Sequence, residues 1–200
     1  MYKKIWLVLV CLAGVFHVRT SAEPLKEKKI LVFSKTAGFR HSSAIESGKK
    51  TLLELGAKNN FIVDTTENAD VFTDENLKHY AAVVFLCTTG NALDDNQQKS
   101  FEKYIRKGGG YVGLHSAADT EYDWPWFGEL NGAYFKNHPR QQQATFNITD
   151  AENIATAPLP KVWSRFDELY NFKWIGTDLH VLITIDESSY SGGGNGDYHP

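Results

Sequence analysis

At 200 residues, with 42% apolar and 22% charged positions, the chain has the composition of one globular domain able to bury a full core, which excludes a disordered or fibrous protein. A formal net charge of -3 and the lack of any long Lys/Arg run leave no electrostatic footprint for nucleic acid. Aromatic residues make up 13% of the chain. One group of them (Trp124, Trp126, Phe127, Tyr134, Phe135) suits either the rim of a sugar-binding cleft or plain core packing, the simpler of the two.

Taken in order, Lys3 and Lys4 precede an apolar run over residues 5–16, and Thr20, Ser21 and Ala22 then supply the small residues of a cleavage site. This pattern predicts a signal peptide over 1–22 and a charged linker over 23–29, hence a periplasmic or secreted protein that begins near Glu23. The run is shorter than the roughly 20 residues of a spanning helix, so an anchor that stays uncleaved is the alternative. Val10 ahead of Cys11 argues against a lipoprotein signal. Once Cys11 leaves with the signal, Cys87 is the remaining cysteine and no internal disulfide can form.

Beyond the linker, strands and helices alternate. Residues 30–34 form a short apolar run read as a buried strand, followed by the polar loop TAGFRH over 36–41. Ser43 with Glu46 reads as a capping box, and Ala44, Ile45, Gly48, Leu52 and Leu55 follow at helical spacing until Gly56. A second strand is predicted over 61–65, a short helical connection over 70–80 and a strand over 81–87 (AAVVFLC). That last run is apolar almost throughout, as a central strand covered on both faces must be. Asp94 suits the cap of a helix whose inward stripe is Phe101, Tyr104 and Ile105, and Gly108, Gly109 and Gly110 end it before the strand over 111–114. The order predicts a flavodoxin-like, doubly wound, mostly parallel α/β sheet with helices on both faces. After this the rhythm breaks: a short aromatic helix over 124–131, strands over 144–148 and 181–185, and an irregular stretch over 162–172.

In such a sheet, ligands bind at the carboxyl ends of the strands. Three loops meet there: 36–41 with Thr36, Phe39, Arg40 and His41; 88–93; and the turn HSAADT over 115–120 with His115, Ser116 and Asp119. His41, His115 and Asp119 thereby become expected neighbours, with Arg40 as a clamp for an anion or hydroxyl, although His41 reads equally well as a helix opener. His138 before Pro139 is either a ligand contact or a turn residue. Asp167 and Glu168 add carboxylates and His199 another imidazole, a set that serves acid/base chemistry or a divalent metal. No HExxH or CxxC spacing indicates a metal; were one held, the imidazoles available are His41, His115 and His199. The cofactor is otherwise unknown. Neither a G-x-S-x-G elbow around Ser116 nor a helix after the glycine-rich run 191–196 supports a serine hydrolase or a phosphate cradle.

The set TAGFRH (36–41), GGGYVGLHSAADT (108–120), WPWFGELNGAYFKNHP (124–139), RFDELY (165–170), HVLITIDE (180–187) and DYHP (197–200) resembles the ThuA-like, trehalose-utilisation family of the class I glutamine amidotransferase-like superfamily. The resemblance spans residues 30–200, read as one domain, and implies that the domain is incomplete at its C-terminal end, since that family usually continues past the HP. It implies a role on a small-molecule carbohydrate, a disaccharide or keto-sugar. It also implies that His115 stands at the elbow where glutaminases carry cysteine; imidazole cannot form their thioester, so glutaminase activity is excluded, and Cys87 reads as a buried apolar residue. The expected catalytic residues are His115 with Asp119 or Glu168, and the expected substrate contacts are Thr36, Phe39, Arg40, His41, Ser116, Trp124, Trp126 and His138. Hydrolase, lyase and isomerase stay open, as does a sugar-binding module without chemistry. No nucleic acid is expected as a partner, nor a membrane once the signal is removed; homo-oligomerisation is open.

Overall fold

The computed structural model describes residues 28–196 and 199–200. The expected signal peptide over 1–22, most of the expected linker, and Asp197 and Tyr198 of the closing motif lie outside the described residues.

Four strands, β1 (Lys28–Phe33), β2 (Phe61–Thr66), β3 (Ala82–Leu86) and β4 (Gly110–Leu114), form a parallel sheet in the order β2-β1-β3-β4. This is the flavodoxin-like arrangement expected from the alternation of strand and helix. Strand side chains alternate between faces, so Leu31, Phe33, Val83 and Phe85 join one apolar cluster while Val32, Val84 and Leu86 join another. The first is closed by Leu77 of α2 (Asp74–Leu77), Phe101 and Tyr104 of α3 (Asp95–Arg106) and Phe127 of α4 (Pro125–Asn131), the second by Ile45 of α1 (Ser42–Asn59). Phe33, Phe72, Phe85, Phe101 and Phe127 are all fully buried, each contributing about 1.5–3 kcal/mol by leaving water. Cys87, just past β3, is buried at 3% exposure.

Two helix starts differ in an instructive way. α3 carries a full capping box: the Asp94 side chain accepts from the backbone of Asn96 and Gln97, and the Gln97 side chain accepts from the Asp94 N–H. α1 has none, contrary to the Ser43–Glu46 expectation; it opens at Ser42 with His41 at the cap and no side-chain cap bond. Asp94 sits in extended backbone (ψ 171°), where a side chain can fold back on the first turn, whereas His41 sits at ψ 66°. The expected stripe of α1 is also narrower than its spacing suggests: Ile45 and Gly56 are buried, but Ala44 and Leu55 are exposed. Gly48 lets the helix press on the sheet, since a Cβ there would come within 2.7 Å of the Leu86 side chain.

The second half is more regular than expected. β5 (Ala133–Asn137) pairs antiparallel with β8 (Asn171–Ile175), and β6 (Gln142–Ile148) lies between β7 (Val162–Asp167) and β9 (Ile183–Asp186). The stretch 162–172, expected to be irregular, therefore contains β7 and the start of β8. Its alternation is hidden because apolar side chains fall on both faces: Val162 and Phe166 are exposed, while Trp163 packs on Phe146 with ring centroids 5.2 Å apart. The last strand begins at Ile183, two residues beyond its expected start.

Candidate functional site

The loops beyond β1, β3 and β4 are laced together through their backbones. Ala37 N–H donates to Thr89 O at 2.8 Å, Gly90 N–H to Asp119 O at 2.8 Å and Glu121 N–H to Gly90 O at 3.1 Å, and the Thr88 and Thr120 hydroxyls meet at 2.8 Å. Thr36 belongs to this lacing, bridged to Thr89. On the resulting platform His115, the first residue after β4, takes φ 54°, the left-handed region that an L-residue enters only at a cost of about 1–3 kcal/mol. That turn aims the imidazole into the space between α1 and the connection from β7 to β8.

Glu168, from that connection, is the carboxylate waiting there. Its Oε2 lies 3.2 Å from His115 Nε2 and 3.7 Å from His41 Nε2, and its Oε1 lies 3.5 Å from His138 Nε2. The side chain is only 13% exposed, and Oε2 is buried without a hydrogen-bond partner. The imidazoles of His41 and His115 meet edge to face with centroids 4.5 Å apart. Behind His41, Ser116 Oγ is 3.4 Å from Nδ1; at His115, the Tyr170 hydroxyl is 3.2 Å from Nε2, the same nitrogen that faces Glu168, and its ring lies at 4.8 Å. Burial, and next the neighbouring His41 imidazole, hold His115 below its ordinary pKa, against the opposing pull of Glu168 and Asp167. Burial likewise pushes the Tyr170 phenol up, reinforced by Glu168. An open cleft of about 590 Å³ gives onto this group, bounded by Phe39, His41, Ser43, His115, Gln141 and Glu168.

His41, His115 and Glu168 are the group, among the described residues, whose donor atoms could share a metal ion, all lying within 4.8 Å of one another. His138 joins them through Glu168. Phe39, 72% exposed, forms the lip of the cleft and stands edge-on to His41 at 4.8 Å. Ser116 is fully buried, so it faces His41 rather than the solvent of the cleft.

Other expected site residues are engaged with other partners, Arg40 on the wall of the cleft itself, or lie elsewhere. The Asp119 carboxylate accepts a 2.6 Å hydrogen bond from the Tyr122 hydroxyl, and the carboxylate facing His115 is Glu168. Arg40 spends its fork on Glu67, with two contacts of 2.9 Å, so the expected anion clamp is already engaged. Trp124 and Trp126 pack on each other at 5.0 Å and on Phe127 and Phe101 in the core, away from the cleft. His199 is not with His41 and His115 either; buried at 1% exposure, its Nδ1 lies 3.1 Å from Glu187 Oε1 and 3.2 Å from the Tyr190 hydroxyl. Sequence reading missed Tyr170, whose ring suits a core residue. It is one, at 9% exposure, yet it stands two positions after Glu168 and its polar tip reaches His115.

A cluster of imidazoles around a buried carboxylate, at the carboxyl edge of a doubly wound parallel sheet, defines an α/β protein with its ligand cleft where that architecture places one, and with histidine at the elbow. The chain belongs to the ThuA family, described as trehalose utilisation, whose model matches residues 29–200. The class I glutamine amidotransferase-like superfamily is consistent with that membership. Among solved structures it is similar to a ThuA-like protein from Bacteroides uniformis, with a TM-score of 0.72 and 25% identity over 88% of this chain and 75% of that one. A second ThuA-like protein, from Parabacteroides merdae, shares the fold with a TM-score of 0.65 and 20% identity over 82% of this chain and 71% of that one. No curated protein matches the sequence.

Proposed function

We propose that the chain is an exported enzyme of carbohydrate metabolism that acts on a disaccharide or keto-sugar by proton transfer in this cleft, with an imidazole of the Glu168 cluster, His115 first among them, as the acid/base. The observation that carries the reading is His115 Nε2 held 3.2 Å from Glu168 Oε2 and 3.2 Å from the Tyr170 hydroxyl, on the wall of an open cleft. Burial favours the neutral imidazole, which is the form a base needs near neutral pH. The exposed Phe39 ring offers an apolar face to a sugar ring. Membership of the trehalose-utilisation family supports the substrate class. Hydrolysis, elimination and isomerisation of a sugar all require a proton to move at an oxygen or at a carbon beside a carbonyl, which is the service a positioned imidazole performs.

The test is a panel of disaccharides and their keto derivatives incubated with the protein and followed by mass spectrometry. His115→Ala should lower turnover by about 10² to 10⁴ with ligand affinity nearly unchanged, because the imidazole acts chiefly in the transition state. Binding without turnover in the unaltered protein makes the chain a sugar-binding module instead, the second reading favoured by an elbow without cysteine. Turnover that survives His115→Ala unchanged removes the assignment.

A further inference from the structure

We propose that His41, His115 and Glu168 bind a divalent transition-metal ion, zinc in the first instance, with an open coordination position facing the cleft. The separations within the cluster point to it. Were the imidazoles simply hydrogen-bonded to the carboxylate, charge-assisted contacts of about 2.7–2.9 Å would be the rule. They are 3.2 and 3.7 Å instead. Two ligands about 2.1 Å from one tetrahedral zinc ion stand about 3.4 Å apart. Burial adds to the distances: Glu168 Oε2 is buried and none of its neighbours reaches it with hydrogen-bond geometry, an expensive state for a carboxylate oxygen unless a cation meets it. Two imidazoles and one carboxylate, from three separate parts of the chain, form a donor set that suits zinc and leaves room for a further ligand. Ser116 Oγ behind His41 Nδ1 at 3.4 Å is placed as the outer partner that fixes a metal-bound imidazole.

This rests on the proposed function for the location of the working site and changes one role in it: His115 becomes a ligand, and His138 replaces it as the acid/base. With the ion bound, the lone pairs of His115 and Glu168 are occupied, and proton transfer passes to His138, 39% exposed at the Oε1 side of Glu168. The ion then polarises a sugar hydroxyl or carbonyl oxygen.

The experiment is titration of the chelator-treated full chain with Zn²⁺ by calorimetry, with Co²⁺ absorption as a spectroscopic check and circular dichroism as a fold control. One equivalent should bind, with a Co²⁺ spectrum of low coordination number. Glu168→Gln and His115→Ala should each weaken binding by about 100-fold and Ser116→Ala by about 10-fold. His180→Ala, whose ring is 73% exposed beside Asp150, should change nothing. A folded protein that retains no Zn²⁺, or that binds it equally well in Glu168→Gln and His115→Ala, overturns the proposal. The two readings fail separately: bound zinc without sugar turnover removes the carbohydrate chemistry and keeps the ion, whereas turnover indifferent to chelation in an ion-free protein does the reverse.

Discussion

Glu168→Gln is expected to stabilise the ion-free protein while abolishing its chemistry. The carboxylate is about seven-eighths buried, at 13% side-chain exposure, and its Oε2 has no hydrogen-bond partner. A buried polar group left unsatisfied costs about 1–3 kcal/mol, and more when it is charged. Burial holds the neighbouring His115 below its ordinary pKa, so at pH 8 that imidazole is neutral and offsets little of the cost. The amide keeps the shape, loses the charge and can donate to an imidazole nitrogen that the carboxylate could not serve. Relief of about 1–2 kcal/mol follows, which for a domain of this size raises the unfolding midpoint by roughly 2–8 °C. The assay is thermal unfolding of both proteins at pH 8 in the presence of a chelator, with turnover measured in parallel. Added zinc should reverse the order, because ligand binding stabilises only the protein that binds it. A Glu168→Gln protein less stable than its parent by 1 kcal/mol or more, chelator present, would show that the carboxylate holds the fold together and would refute the view of it as a site strained for function.

His199 contributes to the pH dependence of stability, with the same sign as His115: burial holds it below its ordinary 6.5 against the pull of Glu187, so its folded form binds fewer protons than the unfolded chain. Its contribution is complete above about pH 6.5 and is lost as pH falls through the lower folded value, so the unfolding midpoint should drop between pH 7 and pH 5, less steeply in His199→Gln; a flat profile contradicts this. Cys87→Ser should leave turnover unchanged and the protein should release no ammonia from glutamine, since the thiol is buried and pushed up in pKa by that burial; loss of turnover with the fold intact would restore the cysteine as a nucleophile. Amino-terminal sequencing of the protein from its native host should begin near Glu23, and an intact Met1 would remove the export proposal.

Much of the architecture was legible before any coordinates, for a physical reason. A strand covered on both faces must be apolar at nearly every position, so β3 stands out as an unbroken run, and helices that end in glycine mark where the next strand begins. The same logic located His115, because a strand that runs into a small-residue turn exposes its next side chain at the carboxyl edge. Glu168 was legible as one of two carboxylates that could partner His115, the other being Asp119; which of the two faces the imidazole was not. That choice was made by three-dimensional direction: Asp119 follows His115 in the same tight turn and points instead to the Tyr122 hydroxyl, while Glu168 arrives from a distant connection between strands. Likewise Tyr170, Trp124 and Trp126 are all aromatic residues that sequence cannot sort, since core and cleft ask for the same rings; packing sent the two tryptophans to the core and turned the tip of Tyr170 toward His115. Residue types and local periodicity determined the sheet and the imidazoles at its edge. Which of them share one carboxylate depended on where long-range packing brings the β7–β8 connection against the segments that follow the first and fourth strands, a contact with no local signature in the chain.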